Sequence, residues 1–242
     1  MAITGAAELL AAWEAGLGQA PVGRALLLHR TARPDVDTGR LPQLPVGERE
    51  ADLFALRRAL FGERMQVRLE CAACGADMEF DLDAGQLAGS LGGLGESVVR
   101  VQQDGWDVEF RLPGVADLQA AARAADPRTA LLARCLVSAT RDGTAVAAGE
   151  LPVPVQRRIA EAVEAADPGA DLVIDVACPE CGEATRAELD IASYLWTELD
   201  AWARDVLLDV HLLATAYGWS EPEILALSPT RRRYYLELCA DV

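Results

Sequence analysis

The sequence contains no lysine, so all 22 of its basic residues are arginine, against 38 aspartates and glutamates. The formal net charge is therefore −16 at pH 7. A protein that binds nucleic acid gains affinity by neutralising phosphates with cationic side chains. The run Arg231–Arg233 is the nearest approach to a basic patch. The composition thus argues against nucleic acid as the main partner. It also argues against the alternative that the chain is a nucleic-acid-binding zinc-ribbon protein, as some transcription factors are.

Long apolar runs are also missing. A run such as ALLL at 25–28 is far shorter than the roughly 20 residues that a membrane-spanning helix requires. The first residues lack the basic and apolar regions of a secretory signal. We therefore expect a soluble, cytoplasmic protein, whose cysteines stay reduced and serve metal or redox chemistry before disulfides.

Signatures of catalysis are scarce. The sequence has two histidines, and it contains no Gly-x-Gly-x-x-Gly, Walker, Gly-x-Ser-x-Gly or His-Glu-x-x-His motif. We expect His29 to be packed or to cap a helix, and His211 to be solvated. The sequence predicts a protein that is not an enzyme. The rival hypothesis is an enzyme with an unrecognised site between the cysteine pairs.

Four of the six cysteines lie in two matching segments, CAACG at 71–75 and CPECG at 178–182. Apolar and polar residues alternate on both sides of each segment, which predicts a β-hairpin with the cysteines at its turn. Two thiolates on one tight turn make a zinc knuckle, and structural zinc takes four ligands in a tetrahedron. The sequence therefore predicts one structural Zn²⁺ held by Cys71, Cys74, Cys178 and Cys181.

Other interpretations of the cysteine pairs remain open. The 103 residues between the pairs far exceed the roughly 15–20 of an ordinary zinc ribbon. The pairs could be coincidental or remnants of a lost site. A redox pair is a further alternative, although redox Cys-x-x-Cys motifs lie at helix N-termini and these lie between strands. A catalytic zinc is disfavoured because four thiolates leave no position for water.

The fold predicted from these patterns is α+β. A zinc-ribbon-like β core of two knuckle hairpins is interrupted by a helical insertion that also carries a hairpin turning at Asp104-Gly105. Within the insertion we predict a helix over 127–140, and helices follow the second knuckle. Three segments are expected, which together form one compact unit: a helical segment 1–62, the split ribbon 63–190, and a helical region 191–242.

The C-terminal helices carry candidates for binding a partner protein, because aromatic side chains and arginine are enriched at interface hot spots. The alternative is that the tryptophans fill a buried helix, and that the arginines form a solvated turn with its tyrosines packed inward. The lone thiols of Cys135 and Cys239 are expected to be buried and inert. The candidate partner-binding residues are Trp196, Trp202, Trp219, Arg231, Arg232 and Tyr235.

The order of motifs resembles a known family. The chain shows LPVGEREADLFALRRALFG, then the two knuckles, and a tail that begins ASYLWTELDAWARDVLLDVHLLATAYGWSEPEILALSP and continues through RRRYYLEL. In this it resembles the bacterial branch of the phage-type baseplate hub assembly chaperone family, found with contractile tails and related injection systems. The resemblance implies a non-enzymatic assembly factor whose partners are baseplate hub or spike proteins. It supplies no catalytic residues. A structural component retained in the particle is the alternative.

Overall fold

The computed structural model describes residues 5–90 and 96–240. Contacts divide the chain into two compact units, one made of Met1–Leu28 with Ala192–Val242, and the other of His29–Ile191. The division at residues 62 and 190 that the sequence suggested stays a prediction.

The described residues confirm an α+β chain. The helices are α1 (Ala6–Leu17), α2 (Pro21–Ala32), α3 (Val46–Phe61), α4 (Ala84–Ser90), α5 (Val115–Ala122), α6 (Pro127–Cys135), α7 (Val153–Ala166), α8 (Ile191–Tyr217), α9 (Glu221–Leu225) and α10 (Pro229–Ala240). The strands are β1 (Arg64–Glu70), β2 (Asp77–Asp83), β3 (Val98–Gln103), β4 (Trp106–Arg111), β5 (Leu136–Arg141), β6 (Thr144–Ala145), β7 (Val173–Ala177) and β8 (Ala184–Glu188). Short 3₁₀ turns lie at Leu41–Gln43, Ala148–Glu150 and Pro168–Ala170.

The unit built from the two ends of the chain is helical and has α8 as its longest element. The apolar stripe along α8 is buried as its helical spacing predicts, with Leu195, Leu199 and Leu213 at most 1% exposed. The indole Nε1 of Trp13 donates a hydrogen bond to Asp200 Oδ1 at 2.8 Å, which fixes α1 against α8. Sequences nearly 190 residues apart therefore build one core.

The first α-helix that lies wholly within the unit His29–Ile191 is α3. Leu53, Phe54 and Leu56 are buried on one face of this helix. Gly62 ends it with φ +84° and ψ −164°, a conformation that favours glycine because it lacks a Cβ. Helix α3 therefore stops at Gly62, whose backbone is extended with a positive φ and not left-handed helical.

The strands form three antiparallel sheets. Strands β1 and β2 pair with each other, as do β7 and β8, so each cysteine knuckle closes its own two-stranded hairpin. The third sheet has the order β3-β4-β5-β6. Its first turn lies at Asp104-Gly105, where both residues have positive φ, as predicted for this hairpin.

The helix predicted over 127–140 is wrong in its second half. The structure has α6 only to Cys135, after which Leu136–Arg141 form β5 and pair with β4. The physical reason lies in the next turn, because Asp142 and Gly143 both have positive φ and return the chain to β6. The interval between the knuckles therefore holds a four-stranded sheet as well as helices.

One face of this sheet is covered by α6 and α7. Val108, Phe110 and Ala139 from the strands pack with Leu132 of α6 and Ile159 of α7 in a single buried cluster. Period-two alternation on β4 directs these side chains inward, and the residues between them face solvent. This core fixes α7 and the end of β4 relative to one another.

Candidate metal centre

The two knuckles have the same backbone geometry. In the first, the N–H of Gly75 donates to the carbonyl of Cys71 at 2.8 Å; in the second, the N–H of Gly182 donates to the carbonyl of Cys178 at the same distance. Both glycines have positive φ, +73° and +75°, which favours glycine over any residue with a Cβ. The repeated Cys-x-x-Cys-Gly sequence is therefore one structural device used twice.

These turns bring all four predicted ligands together. The Sγ atoms of Cys71 and Cys181 lie 3.7 Å apart, and so do those of Cys74 and Cys178. All four sulfurs lie within 4.8 Å of one another. A tetrahedral site with metal–sulfur bonds of about 2.3 Å has sulfur–sulfur edges of roughly 3.8 Å. The spacing therefore fits a metal ion at the centre of the four sulfurs.

Burial of the site is uneven. Cys71 and Cys178, the first cysteine of each knuckle, are 1% and 2% exposed and pack with Met78 in a small apolar cluster. Cys74 and Cys181, the second of each knuckle, are exposed. One side of the cluster thus belongs to the core and the other lies at the surface.

The thiols of the cluster shift one another's pKa values in opposite directions. The backbone N–H groups of Cys74 and Ala73 lower the pKa of Cys71 to about 6. The N–H of Ala76 lowers the pKa of Cys74, but the neighbouring thiols, first that of Cys181, together raise it to about 12. Sulfurs this close cannot all carry negative charge without compensation. A bound dication would supply that compensation and would allow all four to act as thiolates.

The arrangement is a closed one. Four sulfur donors complete a tetrahedral coordination sphere, so an ion held here has no position left for water or substrate. An ion held by these four sulfurs would cross-link the ends of two hairpins that lie far apart in sequence.

Two of the predicted partner-binding residues are largely buried within the unit formed by the chain ends. Trp196 is 8% exposed, and the guanidinium of Arg24 lies 4.7 Å from the centroid of its ring. Arg232 is 6% exposed and its Nε lies 3.0 Å from Asp209 Oδ2. Both side chains have stabilising contacts inside the unit.

The structure brings two other candidates together. Trp219 stacks on Tyr217 with ring centroids 4.6 Å apart, and Tyr235 meets Trp219 edge-on at 4.9 Å. Trp202 is half-buried on α8, whereas Arg231 is exposed at the start of α10. A role of these six residues in partner binding stays a prediction.

The histidines and lone cysteines agree with expectation in part. His29 is 1% exposed and its Nε2 lies 3.1 Å from Asp52 Oδ2, while His211 is exposed. Cys135 is fully buried, and burial raises its pKa to about 11, which keeps the thiol protonated and unreactive. Cys239 is half-buried rather than buried.

Sequence reasoning missed an acidic group around Glu50. Burial raises the pKa of Glu50 to about 7; Arg49 opposes this, and the negative charges of Asp190, Asp167 and Glu188 add to it. The pKa of Asp167 is itself raised by burial, although its carboxylate accepts a hydrogen bond from a backbone N–H. No local motif marks this group, because its members come from three separate stretches of the chain.

Within the described residues, no helix combines the length and apolar character needed to cross a membrane. The fold and site together define an α+β protein with a four-cysteine cluster that could hold a metal ion. A family model described as T4 bacteriophage base plate protein matches residues 27–195, well over half of the 242 residues. The chain belongs to this family, and its role is baseplate-associated. No curated protein and no solved structure matches the chain.

Proposed function

We propose that this chain is a non-enzymatic, zinc-stabilised protein-binding factor that assembles the baseplate or hub of a contractile phage tail-like injection system. The observation that carries the proposal is the closed four-sulfur cluster in a member of a base plate protein family. A closed site of this kind stabilises the fold and does not catalyse a reaction. In a multi-protein machine, a protein stabilised in this way would act by binding other subunits.

Zinc is the metal that the donor set favours. Thiolate ligands in a tetrahedron select zinc or iron–sulfur centres over the hard cations magnesium and calcium, which take oxygen ligands. When bound, the ion would cross-link the β1–β2 and β7–β8 hairpins through Cys71, Cys74, Cys178 and Cys181. Isolated two-stranded hairpins are marginally stable in water, so each gains from being joined to the other.

The proposed partners are the hub or spike proteins of the same machine. The family match spans residues 27–195, which include the metal cluster and end within α8. The remaining helices supply further surface, including exposed apolar side chains at Leu208, Tyr234 and Leu238. Assembly would take place in the cytoplasm, where thiolate zinc sites stay reduced.

The test is co-expression of the full chain with the hub and spike proteins encoded beside the sheath and tube genes of the same cluster. We expect a complex with at least one of them that survives size-exclusion chromatography. Finished particles should lack the chain if it only assists assembly. Failure of every hub and spike protein to bind would contradict the proposal, as would the absence of sheath and tube genes nearby.

A second candidate role is a structural baseplate component that stays in the particle, and the family description, which names a base plate protein, favours it. Quantitative mass spectrometry of purified particles separates the two roles. A fixed number of copies per particle supports the structural component, whereas presence only in assembly intermediates supports the assembly factor.

A further inference from the structure

The unit His29–Ile191 contains a surface cleft of about 880 Å³. It lies between α6 and α7 on one side and the β7–β8 hairpin on the other, with the end of β4 below. The hairpin that carries the second cysteine knuckle therefore forms one wall. The volume lies within the range of roughly 300–1,000 Å³ that is typical of binding sites in proteins.

The floor of the cleft is apolar. Phe110, Leu132 and Ile159 are at most 8% exposed and belong to the core beneath it. Leu131 and Val163 pack against this core and keep part of their surface in the cleft. A floor formed by the core itself is rigid, so a ligand would meet a preformed apolar surface.

Charged residues stand at the rim. Four carboxylates and two guanidinium groups line the cleft, which gives it an excess of two negative charges. Asp167 is already engaged, because its Oδ2 accepts a hydrogen bond from the N–H of Gly47 at 3.1 Å. Asp175 lies opposite Arg186 in the β7–β8 register, so these two charges partly compensate each other.

Two rim carboxylates and one rim guanidinium group, that of Arg128, have no ion-pair partner among the described residues. Glu164 and Asp171 are both exposed and form no ion pair with any residue that the structure describes. Glu161, one turn earlier on α7, does not line the cleft and pairs with Arg158. Negative charge therefore remains in excess beside the apolar floor.

We infer that this cleft is a docking site for a segment of a partner protein that inserts apolar side chains and places Arg or Lys against Glu164 and Asp171; this rests on the proposed function as a protein-binding factor. An apolar floor with charges at the rim is typical of grooves that bind amphipathic segments. Opposite charge at the rim guides encounter and fixes register. Phosphate-bearing ligands fit poorly, because carboxylates outnumber guanidinium groups around the cleft.

The test is a library of random 12-residue peptides displayed on yeast and sorted against the full, zinc-supplemented chain. Ala160→Arg is the blocking variant, since Ala160 is an exposed α7 residue that lines the cleft and the added side chain would fill it. Ala165→Arg is the matched control, since Ala165 is exposed on the same helix outside the cleft. Thermal melts check that both variants fold.

We expect selected peptides to combine apolar residues with Arg or Lys. Their dissociation constants, measured by fluorescence anisotropy, should rise at least tenfold with Ala160→Arg and stay within twofold with Ala165→Arg. The double variant Glu164→Gln, Asp171→Asn should weaken binding severalfold and reduce its salt dependence. Selected peptides without basic residues, equal effects of the two arginine variants, or failure to select any peptide would overturn the inference. Native mass spectra that show a small molecule bound to the wild type and not to Ala160→Arg would overturn it as well.

The inference and the proposed function can fail separately. Hub or spike proteins that bind the wild type and the Ala160→Arg variant equally would refute the cleft and leave the assembly role intact. If basic apolar peptides lose binding with Ala160→Arg while the chain binds no hub or spike protein, the cleft is supported and the proposed assembly role is refuted.

Discussion

Replacing Cys178 by serine tests whether the four sulfurs hold one ion. Cys178 is 2% exposed, and its sulfur lies 3.7 Å from that of Cys74. In a regular tetrahedron with this edge, the centre lies about 2.3 Å from each sulfur, which equals the usual zinc–sulfur bond length. The wild type should therefore bind one zinc per chain, and X-ray absorption should show four sulfurs at about 2.3 Å.

The effect on stability follows from linkage. If zinc binds only the folded chain and is present at one hundred times its dissociation constant, it adds about 2.7 kcal/mol. For a chain of this length each kcal/mol corresponds to about 2–4 °C in melting temperature. Removal of zinc from the wild type should therefore lower the melting temperature by about 5–10 °C. Cys178→Ser should lose most of this dependence on zinc.

The assay combines metal analysis with calorimetry, with and without a chelator. Cys239→Ser is the matched control, because this thiol lies in α10 outside the cluster and its replacement should leave zinc content unchanged. A wild-type chain that folds without metal and melts at the same temperature in chelator would refute the reasoning. So would a Cys178→Ser variant that keeps four sulfurs around one zinc.

Three further substitutions test the structure elsewhere. Because Glu50 has a pKa near 7 in the folded chain against 4.5 ordinarily, folding takes up a proton and stability falls as pH rises from 4.5 to 7. Glu50→Gln should remove about 1–3 kcal/mol of that fall, measured by urea unfolding at several pH values, and an unchanged slope would contradict the assignment. Gly16→Ala places a Cβ 2.3 Å from the ring of Trp196, so it should cost about 1–3 kcal/mol, and an unchanged melting temperature would refute this close packing. Asp117→Asn weakens the ion pair with Arg111, whose side chain is about a third exposed. We expect the free energy of unfolding, measured in urea, to fall by about 2–3 kcal/mol. A fall of less than about 0.5 kcal/mol would refute the importance of this pair.

The four-cysteine cluster was predictable because its signal is local and repeated. Each Cys-x-x-Cys-Gly segment specifies a tight turn with two thiols on one side, and one such turn leaves a tetrahedral site half complete. Finding the second turn at 178–182 was therefore enough to assign all four ligands, despite the long interval between them. The spacing was unusual, but coordination chemistry depends on distance in space and not in sequence.

The strand β5 was missed because the apolar run LLARCLVSA fits a helix as well as a strand. Period alone cannot separate a buried strand from a short buried helix, and the turn residues decide. Asp142-Gly143 is as strong a hairpin signal as Asp104-Gly105, and the β-branched residues Val137 and Thr140 lie within the five residues before it. This second turn predicts that the helix ends near Cys135, and in the structure α6 does end at Cys135.

The cleft and the acidic group around Glu50 were beyond sequence reasoning for a different reason. Glu164 lines the cleft, whereas Glu161 pairs with Arg158 on the same helix and does not line it, and that difference depends on how the tertiary fold places α7. In a chain with 38 acidic residues, no pattern of charge singles out the few whose neighbours are apolar or anionic. Burial and charge of this kind are properties of tertiary contacts between distant segments. They can be assigned only after the fold has placed those segments side by side. This is why the four-cysteine cluster was predictable while the surface that we propose for partner binding was not.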